Sequence, residues 1–288
     1  MHTDHSSDLT SAFSRRDFVK TSALAAGTIA AAGVAMPALG RFGYHSGSGK
    51  LKVGVIGCGG RGTGAMADAL SASPDIHIHA LGDVFPDRIE GARSQIQGLP
   101  EDQIARCQIS AENVYTGFDA YKKVCATDVD IVILATPPHF RSIHLAEAIN
   151  RGKHVFMEKP VAVDPRGVRS VIASAEAAKA KNLSIVAGTQ RRHEPCYLEA
   201  MKRIHGGEIG RIVSARCYWN QGGLWMHDRQ EKWSDMEWQL RNWLYFHWLS
   251  GDHIVEQHVH NLDVVRWAMN NARPVSCVGL GGRQVRTG

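Results

Sequence analysis

The sequence predicts an α/β fold: a doubly wound parallel sheet followed by a second, α+β domain. Three observations carry this expectation. From Leu51 onward, short apolar runs alternate with amphipathic stretches, the pattern of strands interleaved with helices. A glycine cluster, Gly57 to Gly62, directly follows the first apolar run. All seven tryptophans fall at position 219 or later, so composition changes abruptly where the alternation ends.

The chain opens differently. Residues 14–20 read Ser-Arg-Arg-Asp-Phe-Val-Lys, and a small-residue apolar stretch runs from Thr21 to about Ala35. Pro37 and Ala38-Leu39-Gly40 follow, with small residues suited to a signal peptidase. A charged start, an apolar middle and a small-residue end make a signal peptide over residues 1–40. The Arg15-Arg16 pair with Phe18 and Lys20 is similar to the twin-arginine export signal. That likeness implies the twin-arginine translocase as a partner and a periplasmic or otherwise extracytoplasmic destination, reached already folded. The stretch is rich in Ala, Gly and Thr, which is weakly apolar for a membrane span. Residues 41–50 read as a flexible linker.

The first sheet-forming region is expected over residues 51–190. Leu51 to Ile56 is a short apolar strand, and Gly57-Cys-Gly-Gly-Arg-Gly62 matches G-x-G-x-x-G. Ala65 to Leu70 continues as a helix. A second strand, Ile76 to Leu81, ends at Asp83, about 20 residues past the last glycine. Each residue has a physical task. Gly57 permits a tight turn, Gly59 lets backbone approach a pyrophosphate, and Gly62 lets helix and strand pack closely. Gly60 and Arg61 complete the turn. The helix N-terminus offers free N–H groups to phosphates. Asp83 can accept from ribose hydroxyls, and its charge repels a 2′-phosphate. Val84-Phe85 supply no cation beside it, so NAD is expected in preference to NADP.

The alternation continues. Val129 to Ala135 reads as a buried strand ending in Thr136-Pro137-Pro138, and Arg141 to Asn150 as a helix. His154 to Met157 is a strand, Gly167 to Ala180 a helix, and Ser184 to Ala187 a strand. Ligands in such sheets lie at the carboxyl ends of the strands. That rim carries Gly57, Asp83, Thr136, Pro137, His139, Glu158, Lys159 and Gln190. Beyond residue 191, Arg211 to Trp219 and Pro274 to Leu280 read as strands and Ile254 to Ala268 as one helix. Tryptophan faces suit the apolar faces of sugar rings, although most tryptophans serve core or interface packing.

The 288 residues carry a net charge of +5 with no Lys/Arg block, which argues against a nucleic-acid partner. Six widely spaced cysteines, with no C-x-x-C pair, argue against a disulfide scaffold or zinc site. They read as small buried hydrophobes.

Lys153-His-Val-Phe-Met-Glu-Lys-Pro160 resembles the G-K-H-V-x-x-E-K-P signature of the Gfo/Idh/MocA oxidoreductases. The resemblance runs from about Lys52 to the end of the sequence. It implies a Rossmann domain, then an α+β domain with an open, mainly antiparallel sheet that mediates homo-oligomerisation. It places Lys159 beside the nicotinamide and the reacting hydroxyl, with Lys159-Pro160 a candidate cis peptide. Glu256-Gln-His-Val-His260-Asn-Leu-Asp263 is similar to the family's Asp-x-x-x-His-x-x-Asp signature. That carries the catalytic histidine to His260 and the first acid to Glu256, where glutamate stands for aspartate. The family's larger sheet would extend past Gly281 to Gly288, so the sequence reads as incomplete there.

Read unaided, the same stretch puts Glu256 and His260 one turn apart on a helix. A carboxylate there can orient an imidazole and raise its pKa; Asp263 is the alternative partner. Metal is the rival use of His253, Glu256, His258 and His260, but His258 and His260 face different directions on one helix. The resemblance implies hydride transfer between a nicotinamide and a sugar or polyol. Gln190, Arg191, His139 and Asp263 are the candidate substrate contacts. Transient oxidation with elimination of a glycosidic substituent, and a non-catalytic NAD-loaded sugar-binding protein, are the alternatives.

Overall fold

The computed structural model describes residues 49–282. The expected export signal, most of the linker and the last strand-like residues lie outside them. Six strands form one parallel sheet: β1 (Leu51–Ile56), β2 (Ile76–Asp83), β3 (Val114–Thr116), β4 (Ile131–Leu134), β5 (His154–Met157) and β6 (Ile185–Ala187). Their order is β3-β2-β1-β4-β5-β6. The chain therefore reverses direction across the sheet between β1 and β4, and a crevice opens beyond their carboxyl ends. In register, Val53 faces Ile131 and Ile56 faces Leu134.

The strands are apolar throughout because helices cover both faces. Val53 and Val55 pack with Met66, Leu70 and Ile89 on one face. Ile56, Leu134 and Val155 pack with Val124, Leu145 and Ile149 on the other. The crossovers include α1 (Gly60–Ala72), α2 (Pro86–Ile96), then after a short α3 (Glu101–Ile104), α4 (Ala120–Ala126), α5 (Pro138–Asn150) and α6 (Pro165–Ala180). Proline opens α2, α5 and α6, where the missing N–H costs no helical bond. Asp164 caps α6 by accepting from the Gly167 N–H at 2.6 Å.

The expected strands Arg211–Trp219 and Pro274–Leu280 do not form. Among the described residues no strand follows Ala187. A lone extended segment needs a hydrogen-bonded neighbour, and these segments stand exposed, Val213 at 80% and Val278 at 93%. The second half instead contains α7 (Pro195–His205), α8 (Asp235–Arg241), the short α9 (His247–Ser250), α10 (Asp252–Glu256) and α11 (Val259–Ala268). The single helix expected over Ile254–Ala268 is thus two, broken at Gln257-His258. The cysteine reading also needs correction: Cys58 and Cys125 are buried, but Cys196 and Cys277 are exposed. All six are free thiols.

Candidate active site

The glycine-rich turn joins β1 to α1 as the sequence requires. Gly57 has φ +93°, a left-handed conformation, and a side chain there would strike the Ala135 backbone at 2.6 Å. A side chain on Gly62 would lie 1.7 Å from the Gly57 carbonyl oxygen, so α1 can approach β1 only through glycine. Gly59 and Gly60 differ: a side chain on either would enter open space. That space belongs to a cleft of about 390 Å3, lined by Gly57, Gly59, Gly60, Arg61, Asp83, Thr136 and Pro137 among others. No side chain caps the start of α1, so its free N–H groups remain for an anion. The cradle fits a dinucleotide pyrophosphate.

Asp83 closes β2 at the cleft. Its carboxylate accepts from the Cys58 N–H at 2.7 Å and the Phe85 N–H at 2.9 Å. Burial raises its pKa, and the two backbone bonds and Arg88 oppose that shift. Arg88 also lines the cleft. A cation therefore does stand near Asp83, one turn into α2, which the inspection of Val84-Phe85 alone missed. The Thr136 hydroxyl lies 3.2 Å from Nδ1 of buried His144. Burial, then the Arg141 charge, pulls the His144 pKa down to about 3.

From the cleft, Arg61 reaches the next rim segment through a 3.0 Å ion pair with Glu158. The adjacent Lys159-Pro160 bond is cis, as expected. Buried Arg141 supports this turn by donating to the Pro160 carbonyl at 2.7 Å. Lys159 Nζ donates to Glu256 Oε1 at 2.7 Å and to the Glu256 backbone carbonyl at 2.5 Å. Both side chains of this pair are largely buried, at 15% and 8% exposure.

The helix break has its reason here. In an unbroken helix the Glu256 carbonyl would accept from the His260 N–H. Instead it accepts from Lys159, and the His260 N–H donates to Gln257 O at 3.3 Å. The one-face geometry expected for Glu256 and His260 is therefore lost. Neither carboxylate bonds the imidazole: Glu256 holds Lys159, and Asp263 makes a two-pronged pair with Arg192 at 2.7 and 2.8 Å. The His260 ring stacks on Trp219, with centroids 5.5 Å apart. Arg191 lies over the Trp219 ring and bonds Asn261. The expected rise in the His260 pKa is reversed. Burial, then the charges of Lys159 and Arg191, pulls it down to about 4, with Asp263 opposing.

Of the remaining candidates, Gln190 is exposed at the start of a turn of 3-10 helix. His139 stands edge-on to Phe140 and Trp248. His253 and His258 meet edge to face. Among the described residues no three His, Cys, Asp or Glu side chains gather as a metal-holding group. Sequence reasoning missed Trp225, His227, Arg241 and Trp243, which also line the cleft. The only sequence signal for them was the tryptophan density after residue 219.

Residues 51–186 match the family described as "Oxidoreductase family, NAD-binding Rossmann fold", Gfo/Idh/MocA. Inositol 2-dehydrogenase 4 of Saccharopolyspora erythraea is 32% identical over 168 residues, 58% of this chain and 45% of that protein. A glycosyl hydrolase family 109 protein of Streptomyces coelicolor is 30% identical over 182 residues, 63% of this chain and 35% of that protein. The chain thus spans about half or less of the length of these relatives. Myo-inositol 2-dehydrogenase from Lactobacillus plantarum has the same fold, with a TM-score of 0.54 at 20% identity over 76% of this chain and 56% of that one. Residues 51–186 thus form a Rossmann fold and match the NAD-binding domain of the Gfo/Idh/MocA oxidoreductases.

Proposed function

We propose that the protein transfers a hydride between a secondary alcohol of a sugar or polyol and NAD. The observation that supports this most is the buried Lys159–Glu256 pair on the rim of an NAD-binding sheet, with His260 within reach of the Lys159 charge. Bound in the cleft, nicotinamide supplies the hydride acceptor. Lys159 carries fixed positive charge for an alkoxide developing on the substrate. His260 is neutral at physiological pH and takes the hydroxyl proton on its imidazole. Glu256 Oε1 fixes the ammonium, while Oε2 is buried without a protein partner. That oxygen is an acceptor for a second hydroxyl, which suits a polyhydric substrate. Trp219 holds the imidazole plane.

The test uses sugars and inositols deuterated at single carbinol carbons, mixed with protein and NAD. Deuterium appearing in the reduced dinucleotide supports the reading and identifies the carbon. Binding of NAD with no transfer from any deuterated position rejects it.

A second reading is favoured by the likeness to a glycosyl hydrolase family 109 protein. Transient oxidation acidifies the neighbouring C–H, a glycosidic substituent leaves, and the hydride returns. Cleavage of a glycoside without net redox selects this reading; accumulation of oxidised product selects the first.

Asp83 supports NAD rather than NADP, because the rim carboxylate opposes a 2′-phosphate even with Arg88 nearby. Residues 1–40 are read as directing twin-arginine export of the folded protein, where retaining a bound cofactor has value. Replacing Arg15 and Arg16 with lysine should trap the protein in the cytoplasm; unchanged export would exclude that signal.

A further inference from the structure

The dinucleotide cleft is not built by the Rossmann domain alone. Trp225, His227 and Trp243, all far beyond that domain in sequence, share its lining with the glycine-rich turn. They belong to one segment, residues 224–245, that is tied together internally. The Asn242 side chain is fully buried and bonds both backbone groups of His227: it accepts from the N–H at 2.8 Å and donates to the carbonyl at 3.0 Å. The Tyr245 hydroxyl donates to the Leu224 carbonyl at 2.8 Å. Trp225 and Trp243 pack against each other with ring centroids 5.9 Å apart.

Arg241 fastens the segment to the Rossmann domain. Arg241 makes a two-pronged ion pair with Asp87, at 2.9 and 2.8 Å. Its guanidinium lies 4.0 Å from the Phe85 ring centroid and is braced by Glu237 at 2.9 Å. The Arg241 side chain is only 11% exposed. Arginine matched to a carboxylate fork and stacked on an aromatic ring is the strong, directional form of such a contact. Asp87 lies four residues past Asp83, so the fastening stands at the end of the cleft where the adenosine ribose is expected.

We propose that residues 224–245 form a strap over the adenosine half of the dinucleotide, with Arg241–Asp87 as its latch, and that the strap sets how slowly the cofactor leaves. This rests on the reading of the cleft as an NAD site. The strap presents apolar indole surface on the side where a Rossmann cleft is otherwise open to water. It would retain a dinucleotide between turnovers without adding phosphate contacts.

The experiment is stopped-flow release of NADH from the full-length protein, chased with excess NAD. Tryptophan-to-NADH energy transfer is the signal. Asp87→Asn and Arg241→Gln should each speed release about tenfold, with thermal melting little changed in Asp87→Asn, whose side chain is half exposed. Asp87→Asn removes charge but little volume, so it reports even if Arg241→Gln fails to fold. Equal release rates in wild type and a folded Asp87→Asn variant would overturn the strap. Absence of any energy transfer or NADH binding in the wild type would instead overturn the cofactor reading on which it rests.

Discussion

At the residue scale the Lys159–Glu256 pair carries the most consequence. Two opposite charges this deeply buried are stable only together. Glu256→Ala should therefore destabilise the fold by about 3 kcal/mol, measurable by chemical denaturation, and remove the partner that fixes the ammonium. A change of less than about 0.5 kcal/mol, as for an exposed pair, would show that the pair is not formed. His260 makes a separate claim about pH. With its pKa pulled down to about 4 by burial, Lys159 and Arg191, it remains an unprotonated base well below pH 6. The acid limb of kcat/KM should accordingly fall near pH 4; a limb near 6.5 would mean that burial and the two cations do not pull the imidazole down. The roles at this scale were half legible. Lys159, Glu256 and His260 stood out as residue types in a recognised order. Their actual pairing did not, because Lys159 and Glu256 are 97 positions apart and helical spacing points to the wrong partner.

At the scale of elements, β1 and α1 show which glycines serve conformation and which serve the ligand. Gly59 has ordinary extended backbone angles, φ −71° and ψ −176°, and open space beside it. Gly59→Leu should keep the melting temperature and abolish dinucleotide binding by titration, since the side chain would occupy the cradle. Gly62→Ala should lower stability as well, because its added methyl meets the Gly57 carbonyl. Retained NAD affinity in a folded Gly59→Leu variant would displace the pyrophosphate from this turn. Five of the six strands were readable to within two residues because parallel strands buried on both faces are short apolar runs; β3, three residues long at the sheet edge, was not read. The break at Gln257-His258 was not readable, because it depends on a lysine from another element claiming the Glu256 carbonyl.

For the whole molecule, acid sensitivity follows from buried His144. The unfolded chain takes up this proton as pH falls below 6.5, whereas the folded protein resists until about 3. Stability from the neutral ring is complete above pH 6.5. It is lost on acidification by about 1.4 kcal/mol per pH unit inside that window. Denaturation curves at pH 7 and pH 5 should show this slope in wild type and a shallower one in His144→Gln; equal slopes would contradict it. The doubly wound sheet was legible from local alternation. The second half was not: Val213 and Val278 carry strand-like sequence, yet pairing is a long-range property that an apolar run cannot guarantee.

The most direct test of the central claim is turnover by Lys159→Ala and His260→Ala, followed at 340 nm with NAD and the best polyol substrate, alongside NADH binding by each variant. The account predicts loss of turnover by about 100-fold or more with NADH affinity retained, because neither residue lines the cradle. Wild-type turnover in either variant would contradict it.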